Sequence, residues 1–369
     1  MISYKLLTPG PLTTTATVKQ EMMVDHCTWD DDYKVITQEI RADLLKIAHV
    51  SPEEYTTVLM QGSGTFGVEA AIISSVGKDG KLLILSNGAY GERQEKIAQH
   101  AGLRYRIEHF AYYEVPDAKR VAQILEEDPD ITHVSMVHSE TTSGILNDIA
   151  SVAKVVKAKD KVFIVDAMSS FGGVDIPVGE LGIDFIVSSA NKCIEGVPGF
   201  SFIICRIPEI EKCKGKSCSL SLDLYDQWKG MDADGKWRFT SPTHVVLAFA
   251  QALKEFRAEG GVEGRNRRYV ENNHLLISGM KEFGYRTYIS EDVQGPIITT
   301  FLYPEKCNYT FQEMYAYIKE RGYAIYPGKV TDADTFRIGN IGDIHREDIE
   351  KLLAIYREFL TAKGDLEED

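Results

Sequence analysis

A chain of 369 residues exceeds a binding peptide or a single small module and is long enough for two domains around a sizeable core. Its 41 basic and 55 acidic side chains give a net charge of −14 and a pI near 5.2, which excludes nucleic acid as a general partner. The apolar fraction of 44% and the charged fraction of 26% are those of an ordinary globular chain and exclude disorder or a fibre.

No apolar run approaches the roughly 20 residues needed to span a bilayer, so no membrane partner is expected. The start, Met1 to Pro11, lacks the basic and apolar regions of a signal peptide. The reading is a cytoplasmic protein. Cys27, Cys193, Cys205, Cys213, Cys218 and Cys307 show no CxxC pairing and read as free thiols of a reducing compartment. The histidines show neither HxxxH nor His/Cys spacing, so no metal is expected.

In chain order, β-rich runs at Thr56 to Met60, Lys81 to Ser86, Ile131 to Val137, Lys161 to Val165, Ile183 to Ser188 and Phe200 to Arg206 alternate with helix-like stretches. Those stretches are Gly91 to Gly102, Asp117 to Glu127 and Asp148 to Lys159. Val162-Phe163-Ile164-Val165 is apolar without alternation, as suits a strand buried on both faces. The expectation is an α/β fold with a mostly parallel central sheet covered by helices. Trp228 to Pro242, rich in Gly and Asp, reads as irregular. Helices are then expected at His244 to Glu259, Arg265 to Phe283, Thr310 to Arg321 and Arg346 to Ala362, and strands at Tyr285 to Ile289, Pro296 to Leu302 and Tyr323 to Tyr326. This predicts a large domain over 15–245 and a smaller C-terminal α/β domain over 246–369 that includes the N-terminal 1–14. The acidic tail Asp365 to Asp369 reads as frayed. The run Asp30, Asp31 and Asp32 reads as a solvated loop, with a helix-start charge cluster and an active-site rim as alternatives.

Three features carry chemistry. Gly62-Ser63-Gly64-Thr65-Phe66-Gly67 follows a strand and opens a helix-like run. It fits GxGxxG in letters, but the next strand ends in Ser86-Asn87 with no acidic residue for a ribose. What remains is either a tight turn or a phosphate cradle made of free N–H groups at a helix start beside two hydroxyls. Asp166 ends the most apolar strand, where a carboxylate is costly without a cation. Lys192 lies 26 residues later, one helix and one strand on, which places it at the same sheet edge. A strand-end Lys for a Schiff base, a strand-end Asp to keep a pyridine nitrogen protonated, and a phosphate cradle are together what pyridoxal phosphate requires. Tyr90, after another strand, either stacks on a flat cofactor or covers the sheet end. Arg337, set among apolar residues and glycines, pairs with a structural carboxylate or receives an anionic substrate.

The chain closely resembles the class V aminotransferases, fold type I pyridoxal phosphate enzymes, and within them the branch acting on 2-aminoethylphosphonate and pyruvate. The strings that carry the likeness run from Leu7-Thr8-Pro9-Gly10-Pro11-Leu12 and Cys27-Thr28-Trp29-Asp30-Asp31-Asp32-Tyr33 to His138-Ser139-Glu140-Thr141-Thr142 and Asn191-Lys192-Cys193-Ile194. Others are Ser219-Leu220-Ser221-Leu222-Asp223-Leu224-Tyr225, Trp237-Arg238-Phe239-Thr240-Ser241-Pro242-Thr243-His244 and Tyr326-Pro327-Gly328-Lys329-Val330. The resemblance implies pyridoxal 5'-phosphate bound by Lys192 as the Schiff-base lysine, with Asp166 at the pyridine nitrogen. It further implies Ser63, Gly64, Thr65 and Asn191 at the phosphate, Tyr90 stacked on the ring and Thr141 near the ring hydroxyl. Thr240 would reach in from a neighbouring subunit, so a homodimer with shared active sites is implied, and Arg337 would bind both substrates. An alanine/serine:glyoxylate or pyruvate transaminase of the same class is the alternative. A desulfurase would need a mobile catalytic cysteine, and a nicotinamide-binding protein or a non-catalytic module would take up no pyridoxal phosphate. Glu195 and Met231 to Lys236 lie outside these strings and are expected to be surface variation.

Overall fold

The computed structural model describes residues 4–305 and 307–366. A seven-stranded sheet runs in the order Tyr55–Gln61, Phe200–Arg206, Phe185–Ser189, Val162–Asp166, His133–Val137, Lys81–Ser86, Arg104–His109. Only Phe200–Arg206 runs antiparallel to its neighbours. The centre is apolar on both faces, as Val134, Phe163, Val165 and Ile186 show by their burial, because helices cover the sheet on each side. Asp117 and Asp148 start two of those helices by accepting the N–H groups of Lys119 and Ser151, which satisfies donors that have no partner inside the helix.

A second sheet is antiparallel, in the order Arg286–Thr287, Ile298–Leu302, Thr335–Gly339, Tyr326–Pro327. Its apolar face packs with Leu276, Met280, Ile349, Leu352 and Tyr356 into a core separate from that of the large sheet. Leu7 joins this second core, and Lys5–Leu6 pairs with Tyr323–Ala324. The boundary anticipated between 245 and 246 falls inside the helix Thr243–Ala258, whose buried Val246, Phe249, Leu253 and Phe256 join the first core.

Several expectations need correction. Trp228 to Pro242 is helical in its first half: Leu224–Asp234 is capped by Asp223 and stops at Gly235 in the left-handed region, with Trp228 and Met231 buried against the large sheet. Burial of one apolar face outweighs the Asp and Gly content that suggested a loop. The acidic run is not a solvated loop, since Asp31 and Asp32 form the first turn of Asp31–Ile47, where negative charge suits the helix dipole. Tyr323 to Tyr326 is two short strands in different sheets rather than one. In the acidic tail, Asp365 accepts a hydrogen bond from Asn308, and 367–369 lie outside the described residues. No described helix is long and apolar enough to cross a membrane.

Candidate active site

Asp166 is the last residue of Val162–Asp166 and pairs in register with Val187 of the parallel neighbour Phe185–Ser189. Lys192 follows that neighbour by three residues, so carboxylate and amine stand at one carboxyl edge of the sheet, where open α/β sheets bind ligands. Asp166 is 5% exposed; its Oδ1 accepts the Met168 N–H at 3.0 Å, and it forms no ion pair among the described residues. Burial pushes its carboxyl up to about 6, against the Met168 hydrogen bond and with Glu140 adding to the rise. On the adjoining strand end, the buried His138 Nδ1 and Ser139 Oγ have no partner among the described residues, and burial holds His138 neutral with its pKa lowered to about 4.

Burial also lowers the pKa of the Lys192 amine, although Tyr90 and Asp166 oppose the shift. Lys192 Nζ donates to the Pro9 carbonyl at 2.5 Å, so the N-terminal segment lies over the lysine. Gly10 has φ +127, and a Cβ there would come within 2.7 Å of Lys192 Nζ. Only glycine fits both the backbone and the approach. The next residue, Cys193, is buried, and burial raises its thiol to about 12, so it offers no mobile thiolate of the kind a desulfurase needs.

Tyr90, in the first turn of Ala89–His100, is where positive charge gathers. The Arg93 guanidinium lies 4.8 Å from its ring centroid and the Lys329 amine 4.2 Å. Burial pushes the Tyr90 phenol up, but Lys192, the Thr141 hydroxyl and Lys329 together bring it below its ordinary value. Glu140, unassigned in the sequence, fixes this turn. It is fully buried and accepts from the Tyr90 N–H at 3.1 Å and from the Thr142 N–H and hydroxyl at 3.0 and 2.6 Å. Arg337, in the middle of Thr335–Gly339, reaches from the second sheet and donates to the Thr141 carbonyl at 2.8 Å and the Pro327 carbonyl at 3.0 Å. It is 3% exposed and forms no ion pair with a carboxylate among the described residues.

At the other side, Ser63 precedes the helix Gly64–Ser75 with its hydroxyl uncommitted to a cap, and Thr65 accepts from Arg93 at 3.1 Å. Asn191 is half-buried, its side-chain oxygen accepting from Ser189 at 3.1 Å. Thr240 is exposed at the end of Tyr55–Gln61, where its carbonyl accepts from Gln61 at 3.0 Å. Its hydroxyl makes no hydrogen bond among the described residues.

Glu195 is not surface variation. It is 7% exposed and its Oε1 accepts from Tyr269 at 2.6 Å, Arg268 at 2.9 Å and the Gly342 N–H at 3.1 Å. Arg265 and Arg268 also pair with Glu259, and Arg265 donates to the Cys193 carbonyl. The segment after Lys192 is thereby tied to the segment after the Arg337 strand. Met231, within the other stretch set aside, is buried too.

Residues 24–344 match the model of the family described as Aminotransferase class-V. A protein of Lysinibacillus sphaericus named 2-aminoethylphosphonate–pyruvate transaminase is 55% identical over 99% of this chain and 100% of its own length. One of the same name from Bacteroides fragilis is 55% identical over 97% of this chain and 99% of its own. Among solved structures, ureidoglycine–glyoxylate aminotransferase of Bacillus subtilis superposes with a TM-score of 0.91 at 21% identity, covering 99% of this chain and 94% of that one. Pyridoxamine–pyruvate aminotransferase of Mesorhizobium loti gives 0.89 at 23%, covering 99% and 93%. The fold is that of the fold type I aminotransferases, and this chain is an aminotransferase that belongs to the class V family.

Proposed function

We propose that this chain moves the amino group of 2-aminoethylphosphonate to pyruvate, giving phosphonoacetaldehyde and L-alanine, as a step in phosphonate breakdown. The observation that carries the reading is Arg337: a guanidinium buried to 3% exposure and held by two carbonyls, with no carboxylate paired to it among the described residues. A buried charge of this kind is costly until an anion meets it. The near-full-length identity with relatives named for this reaction supports the choice of anion.

The residues at the sheet edge fit pyridoxal 5'-phosphate. A buried carboxylate without a cation suits a protonated ring nitrogen, a buried amine suits covalent attachment, and an uncapped helix start suits a phosphate. Lys192 would hold the cofactor covalently, Asp166 its ring nitrogen, Tyr90 its ring face and Thr141 its ring hydroxyl. Ser63, Gly64, Thr65 and Asn191 would hold its phosphate, with Thr240 of the partner subunit. When bound, it supplies an electron sink for charge left on the carbon that carries the amine. Lys192 Nζ, whose pKa is lowered by burial, takes the proton from that carbon and holds it at the nitrogen. Arg337 anchors the phosphonate of the donor and the carboxylate of the acceptor in turn, so both substrates use one place and kinetics are ping-pong. The segment carrying Pro9 and Gly10 excludes water above Lys192.

A homodimer accompanies this reading. Phe66, Leu220 and Phe239 are exposed on segments joined by the Gln61–Thr240 and Arg238–Leu220 hydrogen bonds, an apolar neighbourhood around Thr240 of the kind a subunit interface covers.

The substitution Arg337→Lys keeps the charge and loses the planar fork. It is expected to raise the Michaelis constants for both substrates by about 10- to 100-fold, read from steady-state alanine formation. Kinetics unchanged for both would make Arg337 structural. In the same assay, faster alanine formation from pyruvate with serine than with 2-aminoethylphosphonate as the donor would overturn the donor.

A further inference from the structure

Three cations, Arg93, Arg337 and Lys329, and the Lys192 amine surround Tyr90, and all but Lys329 are committed. Lys192 donates to the Pro9 carbonyl, Arg93 to the Thr65 hydroxyl, and Arg337 to the carbonyls of Thr141 and Pro327. Lys329 is different. Its half-buried side chain reaches the Tyr90 ring at 4.2 Å and has neither a hydrogen bond nor an ion pair among the described residues. An ammonium brought out of bulk water over a ring, near enough to feel the buried Glu140 but in contact with no carboxylate among the described residues, is charge held ready for an anion.

The backbone explains how it gets there. Tyr326–Pro327 pairs with Arg337 and Phe336, the Gly328 N–H donates to the Thr335 carbonyl at 3.1 Å, and a Cβ at Gly328 would lie 2.2 Å from that carbonyl oxygen. The turn carrying Lys329 is thus locked against the strand carrying Arg337, and both cations are delivered to the cleft by one unit of the second sheet.

The two substrates differ in charge. A phosphonate resembles a phosphate monoester and carries about −1.5 to −2 near neutral pH, whereas a carboxylate carries about −1. One guanidinium balances the carboxylate and leaves the phosphonate short of one positive charge. We infer that Lys329 is the second cation of the phosphonate subsite and discriminates the dianionic donor from the monoanionic acceptor. The inference rests on the proposed reading that 2-aminoethylphosphonate is the donor. Lysine suits the role, being a compact point charge on a flexible stem that meets a third phosphonate oxygen without the fork geometry already supplied by Arg337.

The test compares Lys329→Met with wild type, both loaded with cofactor. The Michaelis constant for 2-aminoethylphosphonate is expected to rise at least tenfold and that for pyruvate less than threefold. Inhibition by methylphosphonate should weaken in parallel while inhibition by acetate does not, and Lys329→Arg should recover most of the donor affinity. Equal effects on donor and acceptor, or no effect on either, would overturn the inference. So would loss of pyridoxal phosphate from the variant on dialysis, which would assign Lys329 to the cofactor's phosphate instead. A wild type that does not consume 2-aminoethylphosphonate would overturn the donor reading, whereas a wild type that consumes it with a donor constant indifferent to Lys329→Met would overturn only the role of Lys329.

Discussion

Lys192→Ala is expected to leave a folded protein whose turnover is reduced by at least about 10³-fold, since the lost amine serves both as the attachment point and as the proton carrier. Burial already favours the uncharged form of this nitrogen by lowering its pKa. The side chain contributes little to packing: its hydrogen bond is to the Pro9 carbonyl, and the core clusters form without it. Far-ultraviolet circular dichroism should therefore match wild type while alanine formation falls to a trace. Retention of more than a few per cent of wild-type turnover would remove Lys192 from its role.

Asp166→Asn is expected to lower turnover by about 10²–10³-fold, because the amide cannot hold a proton on the ring nitrogen by charge. The same substitution should stabilise the cofactor-free protein, in a direction fixed by the carboxyl's raised pKa of about 6. A carboxyl whose folded-state pKa lies above its unfolded value favours the folded state below the unfolded pKa of 3.8. That contribution is lost as pH rises through about 6. Relative to wild type, the asparagine variant should gain up to about 3 kcal/mol between pH 4 and pH 8. Urea unfolding of the two stripped proteins across that range measures it. A variant less stable than wild type at pH 8 would show that Asp166 is held by a structural partner rather than kept for a ligand. Loss of activity together with a gain in stability is the mark of a residue retained for chemistry.

The central sheet was legible in the sequence because its strands are apolar runs ended by polar residues. Asp166 after Val162-Phe163-Ile164-Val165, and Lys192 after the next run, mark one sheet edge by the order of residue types alone. The strand carrying Arg337 was not legible: Thr335-Phe336-Arg337-Ile338-Gly339 alternates only two apolar residues, Phe336 and Ile338, with Thr, Arg and Gly, too short a pattern to stand alone, and it forms a strand because both its neighbours pair with it. Tertiary pairing decides such segments. Glu195 escaped notice for a related reason. A single glutamate after a motif reads as surface, and its burial follows only once Arg265 and Arg268, seventy residues on, fold against it. Lys329, inside a Pro-Gly-Lys turn, likewise looks solvated until the turn is locked to the Arg337 strand.

The most direct measurement is the visible absorption spectrum of the purified protein during titration with 2-aminoethylphosphonate in the absence of any keto acid. The proposed function predicts a yellow protein whose visible band disappears with the amine and returns on addition of pyruvate. A yellow protein unaffected by 2-aminoethylphosphonate but bleached by alanine or serine would contradict the donor, and a colourless protein that pyridoxal phosphate cannot reconstitute would contradict the roles assigned to Lys192 and Asp166.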